Sequence, residues 1–219
     1  MLKSIRFINY RCFDDHELPI NPETIIVGKN NAGKSTIIEG LRLLSIITER
    51  YKNIPFRNVP DWVDLPISHR GASVGLGKLN MSWENIFHRY QDPPGKIIAT
   101  FENGYKLTIH IGPDKKTHTV IQKANNNVIS SKALAQNAKL AKISVLPQIS
   151  PLQKTENIKS VDYVKANISS YLFSNHFRNQ LAIFYDDYFD DFKELSEKSW
   201  PGLQIVGLEG RGNLPEEPI

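Results

Sequence analysis

The sequence predicts an α/β fold in which a strand feeds a helix through a glycine-rich loop. Three observations predict it. Residues Gly28-Lys29-Asn30-Asn31-Ala32-Gly33-Lys34-Ser35-Thr36 follow the pattern G-x-x-x-x-G-K-[ST]. Before them, Thr24-Ile25-Ile26-Val27 is a short run rich in β-branched residues, the pattern of a buried strand. After them, apolar residues recur at Ile37, Ile38, Leu41, Leu43 and Leu44, which places a packed face on a helix from about Lys34 to Lys52.

The chain opens with alternation over residues 2–8, read as a strand. Asn9 to Asp15 turns it, and His16–Leu18 is expected to return antiparallel, closed by Pro19 and Asn21-Pro22. Two strands therefore precede the glycine-rich loop, unlike a dinucleotide-binding start, where the loop follows the first strand. Residues 53–95 are divided by Pro55, Pro60, Pro66, Pro93 and Pro94 and show no sustained period. They are expected to form an insertion with short helices at Asp61–Leu65 and Trp83–His88.

An antiparallel meander is expected over 96–130. Its strands are Lys96–Phe101, Tyr105–Ile111 across the Asn103-Gly104 turn, His118–Lys123, and Val128–Ser130 after Asn125-Asn126-Asn127. Lys132–Leu140 reads as a short helix, and Ile143–Leu146 as a core strand stopped by Pro147. A helical region follows from Val161, nearly continuous from Tyr171 to Lys198. Its apolar stripe is Phe177, Leu181, Phe184, Tyr185, Tyr188, Phe192 and Leu195. Pro201-Gly202 ends it, and Leu203–Leu208 reads as one more strand.

Composition is that of an ordinary globular protein: 219 residues, 40% hydrophobic and 23% charged. The single cysteine, Cys12, excludes an internal disulfide and fits a reducing compartment. No run approaches the roughly 20 apolar residues that span a membrane, and the amino terminus lacks a signal peptide's apolar core. A cytoplasmic protein is expected. Net charge is +4. Residues 96–142 carry eight lysines against Glu102 and Asp114, whereas 186–198 carry six acids against Lys193 and Lys198. The lysine-rich part is either a solvated face or a surface for a phosphate backbone.

The loop's chemistry follows from its residue types. Gly28 and Gly33 allow a curl that points successive N–H groups inward as an anion nest. The new helix adds its N-terminal dipole. In this pattern Lys34 reaches the β- and γ-phosphates and the Ser35 hydroxyl ligates Mg²⁺. ATP and Mg²⁺ are the expected cofactors.

The segments Ile5-Arg6-Phe7-Ile8-Asn9-Tyr10-Arg11-Cys12-Phe13 and Ile25 to Thr36 together resemble the amino terminus of ABC-type ATPases of the SMC, RecF and OLD branch. That branch opens with a strand, N-F-R-x-F, a second strand and G-x-N-x-x-G-K-S/T; Tyr10 stands where it often has Phe. The match covers about the first fifty residues. The resemblance implies a P-loop NTPase of ABC-ATPase type, with a mixed sheet, an antiparallel meander and a helical lobe. It divides the chain into a nucleotide-binding core lobe over 1–150, a helical lobe over 151–200, and the start of a carboxy-terminal half over 201–219.

Residue by residue, the resemblance places Arg11 near the nucleotide phosphates. Gly28, Asn30, Asn31, Ala32, Gly33, Lys34, Ser35 and Thr36 become the phosphate and Mg²⁺ contacts. Gln148, after the expected strand 143–146, becomes the Q-loop residue that approaches Mg²⁺ and the attacking water, with Gln153 as runner-up. Arg70 falls where the branch can carry a DNA-sensing arginine. A signature helix, a Walker B strand ending in Asp-Glu and a switch His are not visible after Gln148. Leu181-Ala182-Ile183-Phe184-Tyr185-Asp186-Asp187 mimics Walker B, but its apolar pattern continues in helical register. The resemblance thus implies the amino-terminal half of a longer ATPase, or a truncated relative, hydrolysing poorly alone. Expected partners are a second ATPase head, with DNA and a nuclease or other effector, in DNA repair or anti-phage defence. Two other readings stand beside it. One is a non-catalytic nucleotide- or DNA-binding scaffold. The other is an unrelated P-loop kinase or GTPase, disfavoured because two strands precede the loop and no N-K-x-D occurs.

Overall fold

A computed structural model describes residues 1–66, 68–74, 83–145, 156–167 and 176–207. The chain divides into two compact units, Met1–Val145 and Leu146–Ile219.

The first unit is built on a seven-stranded sheet. Its strands are β1 (Leu2–Tyr10), β2 (Phe13–Pro19), β3 (Phe56–Asn58), β4 (Arg70–Ala72), β5 (Gly95–Phe101), β6 (Lys106–Ile111) and β7 (Thr117–Gln122), in the order β2-β1-β5-β6-β7-β4-β3. Every described pairing is antiparallel. The α/β class expected from the sequence holds, whereas the mixed sheet does not, because no described strand pairs in parallel. The meander is present as β5–β6–β7, with Val128 reduced to a single bridge to Gln122.

The helix α1 (Lys34–Arg50) packs on this sheet through Ile37, Gly40, Leu43, Leu44 and Ile47. These positions recur at helical spacing, so one face is apolar and the other wet. The sheet answers with Ile5, Phe7 and Tyr10 of β1 and Ile97, Ala99 and Phe101 of β5, all fully or nearly fully buried. Gly40 sets how closely the two layers approach: a Cβ there would lie 2.4 Å from Phe7 Cε1. Phe7 stacks on Tyr10 and Phe13 at centroid distances of 5.8 and 5.3 Å. The short helix α2 (Lys132–Gln136) is capped by Ser131, whose hydroxyl accepts from the Leu134 N–H.

Five elements depart from the sequence expectation. Thr24–Val27 is not a strand: Ile25 and Val27 are 88% and 83% exposed, and the segment joins no described ladder. Its β-branched residues favour extended backbone, but a strand also needs a hydrogen-bonding neighbour. Asp61–Leu65 and residues 83–87 are turns and bends rather than helices, a 3₁₀ turn begins at His88 (His88–Tyr90), and the insertion instead pairs β3 with β4. Over the described residues 143–145 and 203–207 no strand forms. Ile143 packs against the core from irregular backbone.

The second unit contains α3 (Val161–Asn167), α4 (Phe177–Ile183) and α5 (Tyr185–Ser199). Glu156, with its side chain only 2% exposed, accepts hydrogen bonds from the Arg178 and Asn179 backbone N–H groups and so caps α4. The Walker B look-alike 181–187 is helical, interrupted at Phe184. Phe189 is the buried aromatic of α5, while Tyr188 and Leu195 of the expected stripe are exposed.

Candidate nucleotide-binding cleft

The glycine-rich loop ends on α1 with backbone that only some residues accept. Asn31 has φ 65° and Gly33 φ 93°, both in the left-handed region. Gly33 is also pressed from outside: a Cβ would lie 2.6 Å from Phe13 Cζ and 2.9 Å from Cys12 Sγ. The aromatic stack that starts at Phe7 therefore seats the loop on the β1–β2 turn. Gly28 has no left-handed backbone and meets only Ala32 Cβ at 3.3 Å, so the curl rests on Asn31 and Gly33.

At the start of α1 no side chain among the described residues caps the free N–H groups, and the first turn holds no acid. Such an end favours an anion. The Lys34 ammonium donates to the Gly28 and Lys29 carbonyls at 2.6 and 2.7 Å, folding the loop over its own lysine. The exposed Ser35 hydroxyl follows, and Thr36 Oγ1 lies 3.7 Å from Cys12 Sγ.

These residues face a cleft of about 610 Å³, lined by Arg11, Cys12, Asn30, Asn31, Gly33, Lys34, Ser35 and Thr36 together with Asn85, Phe87, Arg89 and Tyr90. Seven of the sequence-selected residues thus share one cavity: Arg11, Asn30, Asn31, Gly33, Lys34, Ser35 and Thr36. Gly28 and Ala32 belong to the loop but not to the cleft lining. Gln148 and Gln153 lie outside the described residues. Arg70 sits on β4 and donates to the Phe56 carbonyl at 3.1 Å. Three strands separate β4 from β1, about 19 Å at the usual strand spacing, and Arg70 does not line the cleft.

Arg11 enters the cleft already paired. Its Nε and Nη2 donate to Glu39 Oε1 and Oε2 at 3.0 and 3.1 Å, and its Nη1 donates to the Glu84 carbonyl at 2.9 Å. Tyr10 Oη donates to the same Glu39 carboxylate. Burial raises the Tyr10 pKa well above its ordinary value, and the Glu39 charge adds to it, so the hydroxyl stays a donor. For Arg11 burial works against the charge, but Glu39 outweighs it and the pKa is raised.

The residues that sequence reasoning missed come from the insertion. Asn85 and Phe87 fall inside the helix expected over 83–88, and Arg89 and Tyr90 lie just past its end. The signal that the sequence reasoning passed over is the pair of basic-type residues between two aromatics in Phe87-His88-Arg89-Tyr90.

A family profile described as AAA ATPase domain matches residues 1–206. The chain belongs to this family. An OLD nuclease from Thermus scotoductus is 48% identical to the chain over 44 residues, which are 20% of the chain and 8% of that protein. The chain therefore spans a small part of the relative it matches. The resemblance to OLD-type ATPases drawn from the loop is that of an OLD-like AAA-family ATPase. Among the described residues of this AAA ATPase domain, no helix is long and apolar enough to cross a membrane.

The residues present fit an ATP-bound Mg²⁺. The helix end is uncapped, Lys34 is satisfied only by loop carbonyls among the described contacts, and the Ser35 hydroxyl is exposed beside it. Lys34, Ser35 and Thr36 would hold the phosphates and the metal, with Asn30 and Asn31 in the turn.

Proposed function

We propose that this chain is the nucleotide-holding part of an OLD-like ATPase head, binding Mg²⁺-ATP in the cleft at the start of α1. The observation that carries the reading is the convergence of Asn30, Lys34, Ser35 and Thr36 on one cavity at an uncapped helix end. The α1 N–H groups and the left-handed turn at Asn31 and Gly33 bind and orient the triphosphate. Lys34 leaves the Gly28 and Lys29 carbonyls for the phosphates, exchanging charge–dipole contacts for charge–charge ones. Ser35 would offer its hydroxyl to Mg²⁺, and the chemistry the ion would supply is neutralisation of phosphate charge. Arg11, held by Glu39 and the Glu84 carbonyl, orders this wall of the cleft beside the phosphates. Gln148 is the group assigned to orient water for turnover.

In this reading ATP is shared between two heads, either two copies or this chain and a carboxy-terminal half. The cycle then gates DNA or a nuclease in repair or anti-phage defence, within the cytoplasm. Arg70, remote from the cleft, is the DNA-sensing position. The decisive experiment is calorimetric titration of Mg²⁺-ATP into the wild-type chain and Lys34→Ala. Binding that disappears in the variant supports the reading; equal affinity in both overturns it.

A further inference from the structure

The nucleotide cleft has a wall that the glycine-rich loop does not supply. It comes from the segment before β5 and presents Arg89 and Tyr90. Both residues have left-handed backbone, φ 48° and 62°. Two consecutive non-glycine residues in that region persist only where their surroundings impose it.

The surroundings do so here. The His88 N–H donates to Asn9 Oδ1 at 2.9 Å, and His88 Nδ1 lies 3.0 Å from the Arg11 carbonyl. The Arg11 N–H donates to the Ile86 carbonyl at 2.8 Å, and the Gln91 N–H returns to the His88 carbonyl at 2.9 Å. The Asn9 amide donates to the Asp92 carbonyl at 2.8 Å. Every anchor reaches the end of β1 at Asn9 or the β1–β2 turn at Arg11, or closes the 88–91 turn on itself. The β1–β2 turn is the same one on which Gly33 is seated.

The result is a tyrosine held 82% exposed in the wall of a cavity. A flexible loop would let such a ring fold back onto the core; this turn keeps it out. Arg89 beside it is exposed and forms no ion pair among the described residues. By contrast, Arg11 is committed to Glu39. In the proposed reading the triphosphate lies against the loop residues Lys34, Ser35 and Thr36, and the Arg89–Tyr90 side of the same 610 Å³ cleft is left for the nucleoside.

We infer that Tyr90 is the stacking surface for the nucleobase, with Arg89 supplying the free cation of the same wall. This rests on the reading that the cleft holds a nucleoside triphosphate. Stacking on an aromatic face tolerates any base, so Tyr90 contributes affinity for the nucleoside without choosing between adenine and guanine.

The test compares ATP, GTP and inorganic tripolyphosphate, each with Mg²⁺, by calorimetry on the full chain. Tyr90→Ala is expected to weaken ATP and GTP about tenfold, the scale of one base–aromatic stack, and to leave tripolyphosphate unchanged. Tyr90→Phe retains the ring and the nucleotide affinity, and shows that the turn still folds. In Tyr90→Trp, the indole emission changes on adding ATP and not on adding tripolyphosphate. Wild-type ATP affinity in Tyr90→Ala overturns the inference, as does an equal loss for tripolyphosphate. If the wild-type chain binds neither ATP nor tripolyphosphate, the nucleotide-cleft reading itself fails and takes this one with it.

Discussion

Arg11 and Glu39 grip each other with two parallel hydrogen bonds, Nε to Oε1 at 3.0 Å and Nη2 to Oε2 at 3.1 Å. Their side chains are 18% and 23% exposed. The pair ties the β1–β2 turn to the first half of α1, the helix whose amino end carries the glycine-rich loop. Tyr10 leans on the same carboxylate. Glu39→Gln keeps the volume but removes the charge that Arg11 and Tyr10 share, and should cost about 2 kcal/mol. Urea unfolding gives that number directly. A cycle with Arg11→Met should return a coupling of about 1–2 kcal/mol; strictly additive losses would show that the two side chains stand together without supporting each other.

Gly33→Ala should fail for two independent reasons. The backbone at φ 93° excludes a Cβ cheaply, and the added methyl would sit 2.6 Å from the Phe13 ring and 2.9 Å from Cys12 Sγ. We expect a loss of about 1–2 kcal/mol in stability and a larger proportional loss in ATP affinity, because the nest is remade. Phe13→Leu should recover part of the stability lost in Gly33→Ala by vacating the clash. If the double variant is as unstable as the sum of the two, the ring is not what excludes the methyl.

In α1, Gly40 sets helix propensity against packing. Alanine is favoured over glycine in a helix interior by about 1 kcal/mol. Here the new Cβ would meet Phe7 Cε1 at 2.4 Å and Cζ at 2.9 Å, on a ring that is fully buried and stacked on Tyr10 and Phe13. Overpacking costs about 1–3 kcal/mol, so Gly40→Ala should be destabilising on balance. The melting temperature of the variant decides it: a rise would mean that the helix can draw back from β1.

How much of this was legible beforehand differs from residue to residue. The loop was readable because Gly28-x-x-x-x-Gly33-Lys34-Ser35 sits directly before a helical period, and the cleft gathers Lys34, Ser35 and Thr36 as that spacing requires. Strands β1, β5 and β6 were readable from alternation and from Asn103-Gly104. Thr24–Val27 was misread because β-branched residues report backbone preference and carry no information about a neighbouring ladder. Glu39 was invisible: its role depends on Arg11, 28 residues away, and on which face of α1 meets the β1–β2 turn. Arg89 and Tyr90 lie just past the helix expected over 83–88, and their role depends on two consecutive left-handed residues that no residue pattern announces.

His110 should make the fold sensitive to acid in a definite window. It is 4% exposed on β6, opposite Lys96 of β5 and His118 of β7. Burial lowers its pKa from 6.5 to about 4; the His118 carbonyl, 3.3 Å from Nδ1, pulls the other way, and the charges of Lys96 and His118 add to the lowering. The native imidazole is therefore neutral where the unfolded one already binds a proton. The unfolded chain takes up more protons between pH 6.5 and 4, so stability is fully present above that range and falls as pH drops through it. The loss approaches on the order of 3 kcal/mol below pH 4. His110→Gln cannot titrate and should lack this component, whatever its stability at pH 7.5. Chemical unfolding of both proteins at pH 7.5, 6, 5 and 4.5 should show the wild type losing more than the variant. If the two decline in parallel, protonation of His110 is not coupled to folding, and the acid sensitivity belongs to other groups.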